Sequence, residues 1–380
     1  MSKVAIIYCG SYEYDQVLEA VERGFDLLGG PSAVVRPNEK ILLKPNWLAA
    51  DLPEKCTTTH PAIFRAVAEL LQGAGTRLSY GDSPAIQSPD IAAKRTGIAA
   101  IADELGIPLA DFKAGQEVHF HDGKQNKVFT IANAVLESDG VISLPKMKTH
   151  GFMRITGAVK NQFGCIPGAS KGAFHVKVPD AYHFARMLVD LNAAVHPRLY
   201  VMDGIEAMEG NGPRGGTPRK MNVLLFSTDP IALDATVCNL MNLKPDLVLT
   251  NLAGMEMGAG TFLKKEIDMV GDPIENFIAR DFDVNRKTED RPSKNNRMRL
   301  VKNLMTSRPY IVAERCVRCG VCVQACPVDP KAVDWHDGNK LMPPTYQYDR
   351  CIRCYCCQEL CPESAISIKQ PFLRKLLGRK

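Results

Sequence analysis

No window of the 380-residue chain approaches the ~18 uninterrupted apolar residues of a membrane-spanning helix, which argues against one. Net charge is small: 47 Lys and Arg stand against 42 Asp and Glu, a formal +5, without the stronger or more clustered basic excess of a nucleic-acid binder. The N-terminus, Met1-Ser2-Lys3 ahead of Val4-Ala5-Ile6-Ile7-Tyr8, has one basic residue, a very short apolar run and no small-residue cleavage site. It reads as an opening strand rather than a secretory signal, and a cytoplasmic location is expected. There is no G-x-G-x-x-G fingerprint and no Walker-type loop, so a standard dinucleotide or nucleotide fold has no support. The eight histidines show neither H-x-x-x-H nor H-E-x-x-H spacing, and His119-x-His121 reads as a surface pair on a strand.

What is present suits two or three domains with a sizeable core, since 45% of residues are hydrophobic and 23% charged. The first ~270 residues alternate short apolar runs with amphipathic stretches, the pattern of a layered α/β domain with a mostly parallel sheet. Strands are expected at 4–8, 40–43, 77–80, 141–144, 199–202 and 222–226, with helices at 62–71, 181–194 and 231–241. The large domain is assigned to 1–282. Residues 283–309 are polar, lack apolar periodicity and read as a solvated linker. A small α+β module is expected over 310–369. The tail 370–380 is basic and amphipathic, with Phe372, Leu373, Leu376 and Leu377.

Nine of the 13 cysteines lie between Cys316 and Cys361, a density that suggests metal rather than the dispersed, even set of a disulfide framework. Cys316-x2-Cys319-x2-Cys322-x3-Cys326-Pro327 recurs as Cys351-x2-Cys354-x2-Cys357-x3-Cys361-Pro362. This is the spacing of a bacterial two-cluster ferredoxin: three thiolates from a tight loop hold three corners of a [4Fe–4S] cube, and the fourth cysteine crosses to the other cube. Cys316, Cys319, Cys322 and Cys361 are therefore expected on one cluster, and Cys326, Cys351, Cys354 and Cys357 on the other. Zinc is the competing metal. Cys356 reads as a packed neighbour of the ligand Cys357, and Trp335 and His336 as packing and surface residues.

Polar motifs recur just after expected strands, where an open α/β sheet places its ligand crevice. They are Lys44-Pro45-Asn46, Thr57-Thr58-Thr59-His60-Pro61, Gly81-Asp82-Ser83-Pro84 and Asp203-Gly204. Residues 141–179 hold Lys146, Lys148, Arg154, Lys160, Lys171, Lys177, His150, His175 and Asn161 with no Asp or Glu. An acid-free, glycine-rich stretch suits a loop wrapped around an anion, or else a basic face that docks an acidic partner. Glu209-Gly210-Asn211-Gly212-Pro213-Arg214-Gly215-Gly216 reads as a lid, an anion nest or a hairpin connection. The anion site is assigned to Lys44, Asn46, Thr59, Asp82, Lys146 and Asn161, with Lys148, His150 and Lys160 as electrostatic or proton-donating groups. Buried ammonium groups call for a compensating anion, and a histidine near its ordinary pKa supplies protons at neutral pH.

Lys44-Pro45-Asn46, the Thr-His-Pro run, Gly81-Asp82-Ser83-Pro84, Leu144-Pro145-Lys146-Met147-Lys148-Thr149-His150, Gly157-Ala158-Val159-Lys160-Asn161 and Asp229-Pro230-Ile231-Ala232-Leu233-Asp234 together resemble the domain-of-unknown-function 362 family. Here that domain is fused to a two-cluster ferredoxin. The resemblance implies an iron–sulfur protein of anaerobic metabolism and supplies no settled reaction. The order of strand, Thr-rich helix start and strand is also distantly similar to the N-terminal half of nickel-pincer lactate racemases, whose histidine ligand pattern is not evident here. The expectation is an iron–sulfur electron-transfer protein: a ferredoxin-fused reductase acting on an anionic small molecule or further anionic cofactor. The alternatives are an accessory protein whose large domain docks a redox partner, and a non-redox enzyme with structural clusters.

Overall fold

Val4-Ala5-Ile6-Ile7 is apolar on both faces, as a strand covered from two sides must be, and all four residues are at most 1% exposed. They form the middle of β1 (Ser2–Tyr8). In chain order follow β2 (Lys40–Pro45), β3 (Arg77–Tyr80), β4 (Gly115–His119), β5 (Val128–Ala132), β6 (Gly140–Leu144), β7 (Lys146–His150), β8 (Arg154–Thr156), β9 (Leu199–Glu209), β10 (Thr217–Ser227) and β11 (Ile267–Gly271). The computed structural model describes residues 1–168, 170–178, 180–287 and 307–369. Positions 288–306 of the expected linker and the basic tail 370–380 lie outside the described residues.

The main sheet runs β11-β1-β10-β9-β6-β2-β3, and β7 pairs with both β8 and β9. Pairs β1–β11, β2–β3, β2–β6, β6–β9 and β7–β9 are parallel, while β10 is antiparallel to both β1 and β9. Strand alternation sends Ala5 and Ile7 to one face, against Val17, Val21 and Phe25 of the helix Tyr14–Asp26 and Ile63, Phe64 and Val67 of the helix Pro61–Gly73. Val4 and Ile6 face the other way, toward Leu233, Val237 and Leu240 of the helix Pro230–Leu240. The fold is thus a mixed, mostly parallel sheet with helices on both faces, plus a small C-terminal module.

Helix starts follow the sequence signals. Pro61 occupies the first turn, and the His60 side chain accepts the Ala62 backbone N–H. Asp229 caps the helix Pro230–Leu240 through the Ile231 and Ala232 N–H groups.

Four expectations change. The stretch 141–179 is not a loop: it contains most of β6, all of β7 and β8, and the helix Ser170–Lys177. Its β7 strand is buried at every residue, because β9 flanks it and the C-terminal module covers its end. β9 does not stop at Met202 but continues to Glu209 and turns back into β10, so Asp203 and Gly204 lie within a strand. Residues 283–287 are not linker: Val284 is buried in the core, and Arg286 donates to the carbonyls of Met241, Asn242 and Phe282. The module begins earlier than 310, since β12 (Arg308–Ile311) pairs antiparallel with β15 (Ile366–Lys369). Between them lie the short pair β13 (Val333–Asp334) and β14 (Thr345–Tyr346).

The 209–216 segment is the β9–β10 connection and the seat of the module. Arg214 makes a bidentate pair with Asp51 (2.7 and 2.8 Å) and donates to Leu360 O at 2.7 Å. Gln358 Nε2 donates to Asn211 Oδ1 at 2.9 Å and Gly212 O at 3.1 Å, and Asn211 Nδ2 reaches Ile366 O. A side chain at Gly212 would collide with Thr149 O, its Cβ falling 2.3 Å away, so glycine is what lets this turn approach β7.

Candidate functional site

The cysteine repeat has a matching backbone repeat. Arg318 and Gly320 in the first run, and Arg353 and Tyr355 in the second, take left-handed conformations at equivalent positions. Each run then enters a short helix, Val321–Ala325 and Cys356–Leu360. Left-handed residues curl each loop so that successive thiols face inward. Cys316, Cys319, Cys322 and Cys361 line one cavity, and Cys326, Cys351, Cys354 and Cys357 line a second. None of the nine cysteines of the module is in a disulfide, and Cys356 lines neither cavity.

Among the described residues no three His, Cys, Asp or Glu side chains converge as a single metal ion would need. N–H and O–H donors already point at ring sulfurs: Ala332 N to Cys326 (3.3 Å), Ala365 N to Cys361 (3.3 Å) and Tyr346 OH to Cys357 (3.2 Å). Such donors stabilise thiolate ligands, and the residues present fit iron–sulfur clusters. Trp335 packs beneath Gly320 and donates Nε1–H to Met342 O, a packing role. His119 and His121 are exposed.

In the large domain the expected site residues fall into two networks built on an internal carboxylate and a third group without one. In the first, Lys44 Nζ lies 2.9 Å from Asp82 Oδ1, with both side chains at most 2% exposed. Asp82 Oδ2 accepts the Trp47 N–H. Asn161 Oδ1 accepts from Asn46 Nδ2 at 3.0 Å and Lys44 Nζ at 3.4 Å, while Asn161 Nδ2 donates to Ser143 Oγ. Thr59 Oγ1 accepts the Asn46 N–H and donates to Leu144 O. A Cβ at Gly164 would lie 1.8 Å from Asp82 Oδ1, so only glycine fits against this ion pair. In the second network, Lys146 Nζ is 2.8 Å from both Asp203 Oδ2 and Tyr12 OH. Asp203 also accepts from Tyr12 OH and the His60 N–H, and the Tyr12 and His60 rings stack at 3.6 Å.

This corrects the electrostatic premise. Lys44 and Lys146 do not await an external anion, because Asp82 and Asp203 neutralise them within the fold.

Lys148, Lys160 and Lys171 have no carboxylate at contact distance among the described residues. Lys148 Nζ donates to Thr57 O at 2.5 Å and Lys171 Nζ to Ser83 O. Burial and the neighbouring Lys160 and Lys146 push the Lys148 ammonium down to about 7. Burial lowers Lys171 to about 7 as well, with Lys44 and Lys160 acting in the same direction against Asp82. Lys160 is partly exposed and lies over the Phe163 ring, 5.7 Å from its centroid. His175 is buried beside them, stacked on Phe184 at 4.6 Å, with Nδ1 lacking a hydrogen bond.

His150 differs from its expected role. Its Nδ1 accepts the Phe152 and Met153 backbone N–H groups, and its Nε2 lies 2.9 Å from Glu359 Oε1 of the module. Burial lowers its pKa to about 4 against the opposing pull of Glu359, so it is neutral at pH 7 and no ready proton source. Conversely, His150 and Lys160 outweigh burial and hold the Glu359 carboxyl well below its usual range. Of the acid-free stretch read as a docking face, Lys146, Lys148 and His150 are at most 4% exposed, while Arg154, Lys160 and Lys177 reach the surface.

Glu359, His175 and Lys171 join the site without having been assigned to it. Lys171 and His175 had the acid-free stretch as a signal. For Glu359 the signal is a break in the repeat: the equivalent position of the first run is Gln324.

Residues 41–239 match the model of the domain of unknown function DUF362. The chain belongs to this family. Residues 307–328 match a 4Fe-4S binding domain, so this DUF362 protein carries a C-terminal iron–sulfur module for at least one [4Fe–4S] cluster, with Cys316, Cys319, Cys322 and Cys326 inside the matched segment. It is 35% identical over 259 residues to the thylakoid-associated protein sll1697 of Synechocystis, covering 68% of this chain and 80% of that one. Among solved structures, the lactate racemase apoprotein of Thermoanaerobacterium thermosaccharolyticum aligns over 60% of this chain and 54% of its own, with 11% identity and a TM-score of 0.39. A Thermotoga maritima protein aligns over 57% and 56%, with 10% identity and a TM-score of 0.34. The chain thus spans little more than half of either solved structure. Among the described residues no helix is long and apolar enough to cross a membrane.

Proposed function

We propose that this DUF362 protein is an iron–sulfur oxidoreductase in which the C-terminal module delivers electrons to an anionic small molecule, or anionic cofactor, held in the large domain. Two [4Fe–4S] clusters are assigned: one to Cys316, Cys319, Cys322 and Cys361, the other to Cys326, Cys351, Cys354 and Cys357. When bound, the clusters supply electrons one at a time from an external redox partner.

The observation that carries the reading is the seating of the helix Cys356–Leu360, which follows the loop of the second cysteine ring. It packs against β7 at His150, with Tyr355 6.3 Å from Phe152 between ring centroids and Glu359 2.9 Å from His150. The second ring's helix therefore touches His150, on which Lys148 and Lys160 both act, two of the lysines with no contacting carboxylate among the described residues. Lys160 and Lys171 attract and orient the anion. Lys148, with its pKa near 7, holds a proton that it can release at neutral pH, the property wanted in a general acid. The module and β7 keep bulk water out.

The test is anaerobic purification followed by native mass spectrometry and absorbance of the holoprotein. A retained anionic ligand is expected, lost in Lys148→Ala and Lys160→Ala while iron content stays unchanged. Loss of iron together with the ligand, or variants that behave as the parent protein, defeats the reading.

A further inference from the structure

The buried cations are not wholly without an anion. Glu359, at most 10% exposed in its side chain, projects from the module onto His150 beside them. The contact is close but badly directed: Glu359 Oε1 and His150 Nε2 stand 2.9 Å apart, yet neither completes a hydrogen bond. Buried charged groups are normally satisfied by several well-aligned donors, as Asp82 and Asp203 are here. Glu359 touches His150 without being fitted to it. The first repeat has a neutral glutamine at the equivalent place, so the cluster-binding loop itself does not require a carboxylate there.

We propose that the ligand of this site is a small carboxylate and that Glu359 is its built-in stand-in, occupying in the docked state the place that the ligand carboxylate takes. The inference rests on the proposed anion site and adds the ligand class and the competitor.

A carboxylate ligand matches what Glu359 already matches: an imidazole N–H donor at His150, with an ammonium at Lys160 on the partly exposed side. To bind, the ligand must displace Glu359 and so loosen the helix Cys356–Leu360 from its seat. The hydrogen bonds that tie that helix to the large domain, Gln358 to Asn211 and Gly212 and Leu360 O from Arg214, are reversible. Binding is therefore coupled to the position of the second cysteine ring. The apparent affinity is reduced by the fraction of molecules in which Glu359 is seated.

The experiment is calorimetric titration of the iron-loaded, full-length protein with succinate and, separately, inorganic phosphate. Glu359→Ala and Glu359→Gln serve as variants, with iron content measured on each. Succinate is expected to bind both variants about tenfold or more tighter than the parent chain. In the parent, succinate should raise amide hydrogen exchange across 356–360. Succinate binding that is unchanged or weaker in iron-replete Glu359 variants overturns the stand-in role, as does binding without added exchange at 356–360. Phosphate binding that excludes succinate keeps the anion site and overturns the carboxylate assignment. Failure of both probes on every protein sinks the anion site itself.

Discussion

Replacing Asp82 by alanine removes the carboxylate beside Lys44 and leaves an ammonium with 0% exposure facing only amide oxygens. Breaking a buried pair by deleting one partner costs about 3–5 kcal/mol, because the remaining charge is neither paired nor hydrated. For a domain of this size that corresponds to a melting temperature lower by roughly 5–8 °C. The reverse change, Lys44→Met, should cost less, since Asp82 keeps the Trp47 N–H at 2.7 Å and the Ser83 N–H at 2.9 Å. The double variant should recover part of the Asp82→Ala loss, because no charge is then stranded, although the Trp47 N–H stays without its acceptor. Urea unfolding of the three variants and the parent under anaerobic conditions, followed by far-UV circular dichroism, gives the cycle. If Asp82→Ala costs under about 1 kcal/mol, or the double variant is worse than the sum of the singles, Lys44 is not held by Asp82 and its assignment as an internal counter-ion fails.

Lys148 makes stability depend on pH. Its pKa falls from an ordinary 10.5 to about 7 on folding, so between those values the unfolded chain binds more protons and stability rises with pH, by at most about 1.4 kcal/mol per unit. Lys148→Met should flatten that rise in urea midpoints measured from pH 7 to pH 9.5; an unaltered slope refutes it. Cys357→Ser should lose one of two clusters and Cys356→Ser neither, as read by iron and acid-labile sulfide analysis, because Cys357 lines the second cavity and Cys356 does not. Loss of a cluster in Cys356→Ser would show that the ring is drawn from the wrong cysteines. A truncation after Lys287 should unfold cooperatively, and one after Phe282 at lower urea, because Val284 and Arg286 pack on the large domain; equal midpoints would mean that 283–287 add nothing.

Local features were readable from local sequence. The C-x2-C-x2-C-x3-C-P runs place their thiols by short-range loop geometry, so the spacing alone named two sets of four, the sets that line the two cavities. The helix starts at Pro61 and Pro230 were legible for the same reason, since a cap and the N–H groups it satisfies lie within three residues of each other. Six strands of the large domain were legible from apolar runs, but β5, β7, β8 and β11 and the ends of β9 and β10 were not. β9 reaches Glu209 only because β10 folds back beside it, and polar β7 is a buried strand only because β9 and the module enclose it.

Pairing between distant residues belonged to the tertiary structure. Lys44 meets Asp82 because β2 and β3 are parallel neighbours whose C-terminal ends coincide, and Lys146 meets Asp203 because β7 runs beside β9 in that register. In the sequence these lysines look like Lys148: basic residues at strand ends with no acid nearby. Charge compensation acts through space over a few ångströms, and the neighbours that provide it are set by strand order and register, which no local pattern encodes. The sequence could therefore say that cations gather in this domain. Only the fold decided that two of them are already neutralised, and that a carboxylate from the iron–sulfur module meets His150 in the same strand as Lys148.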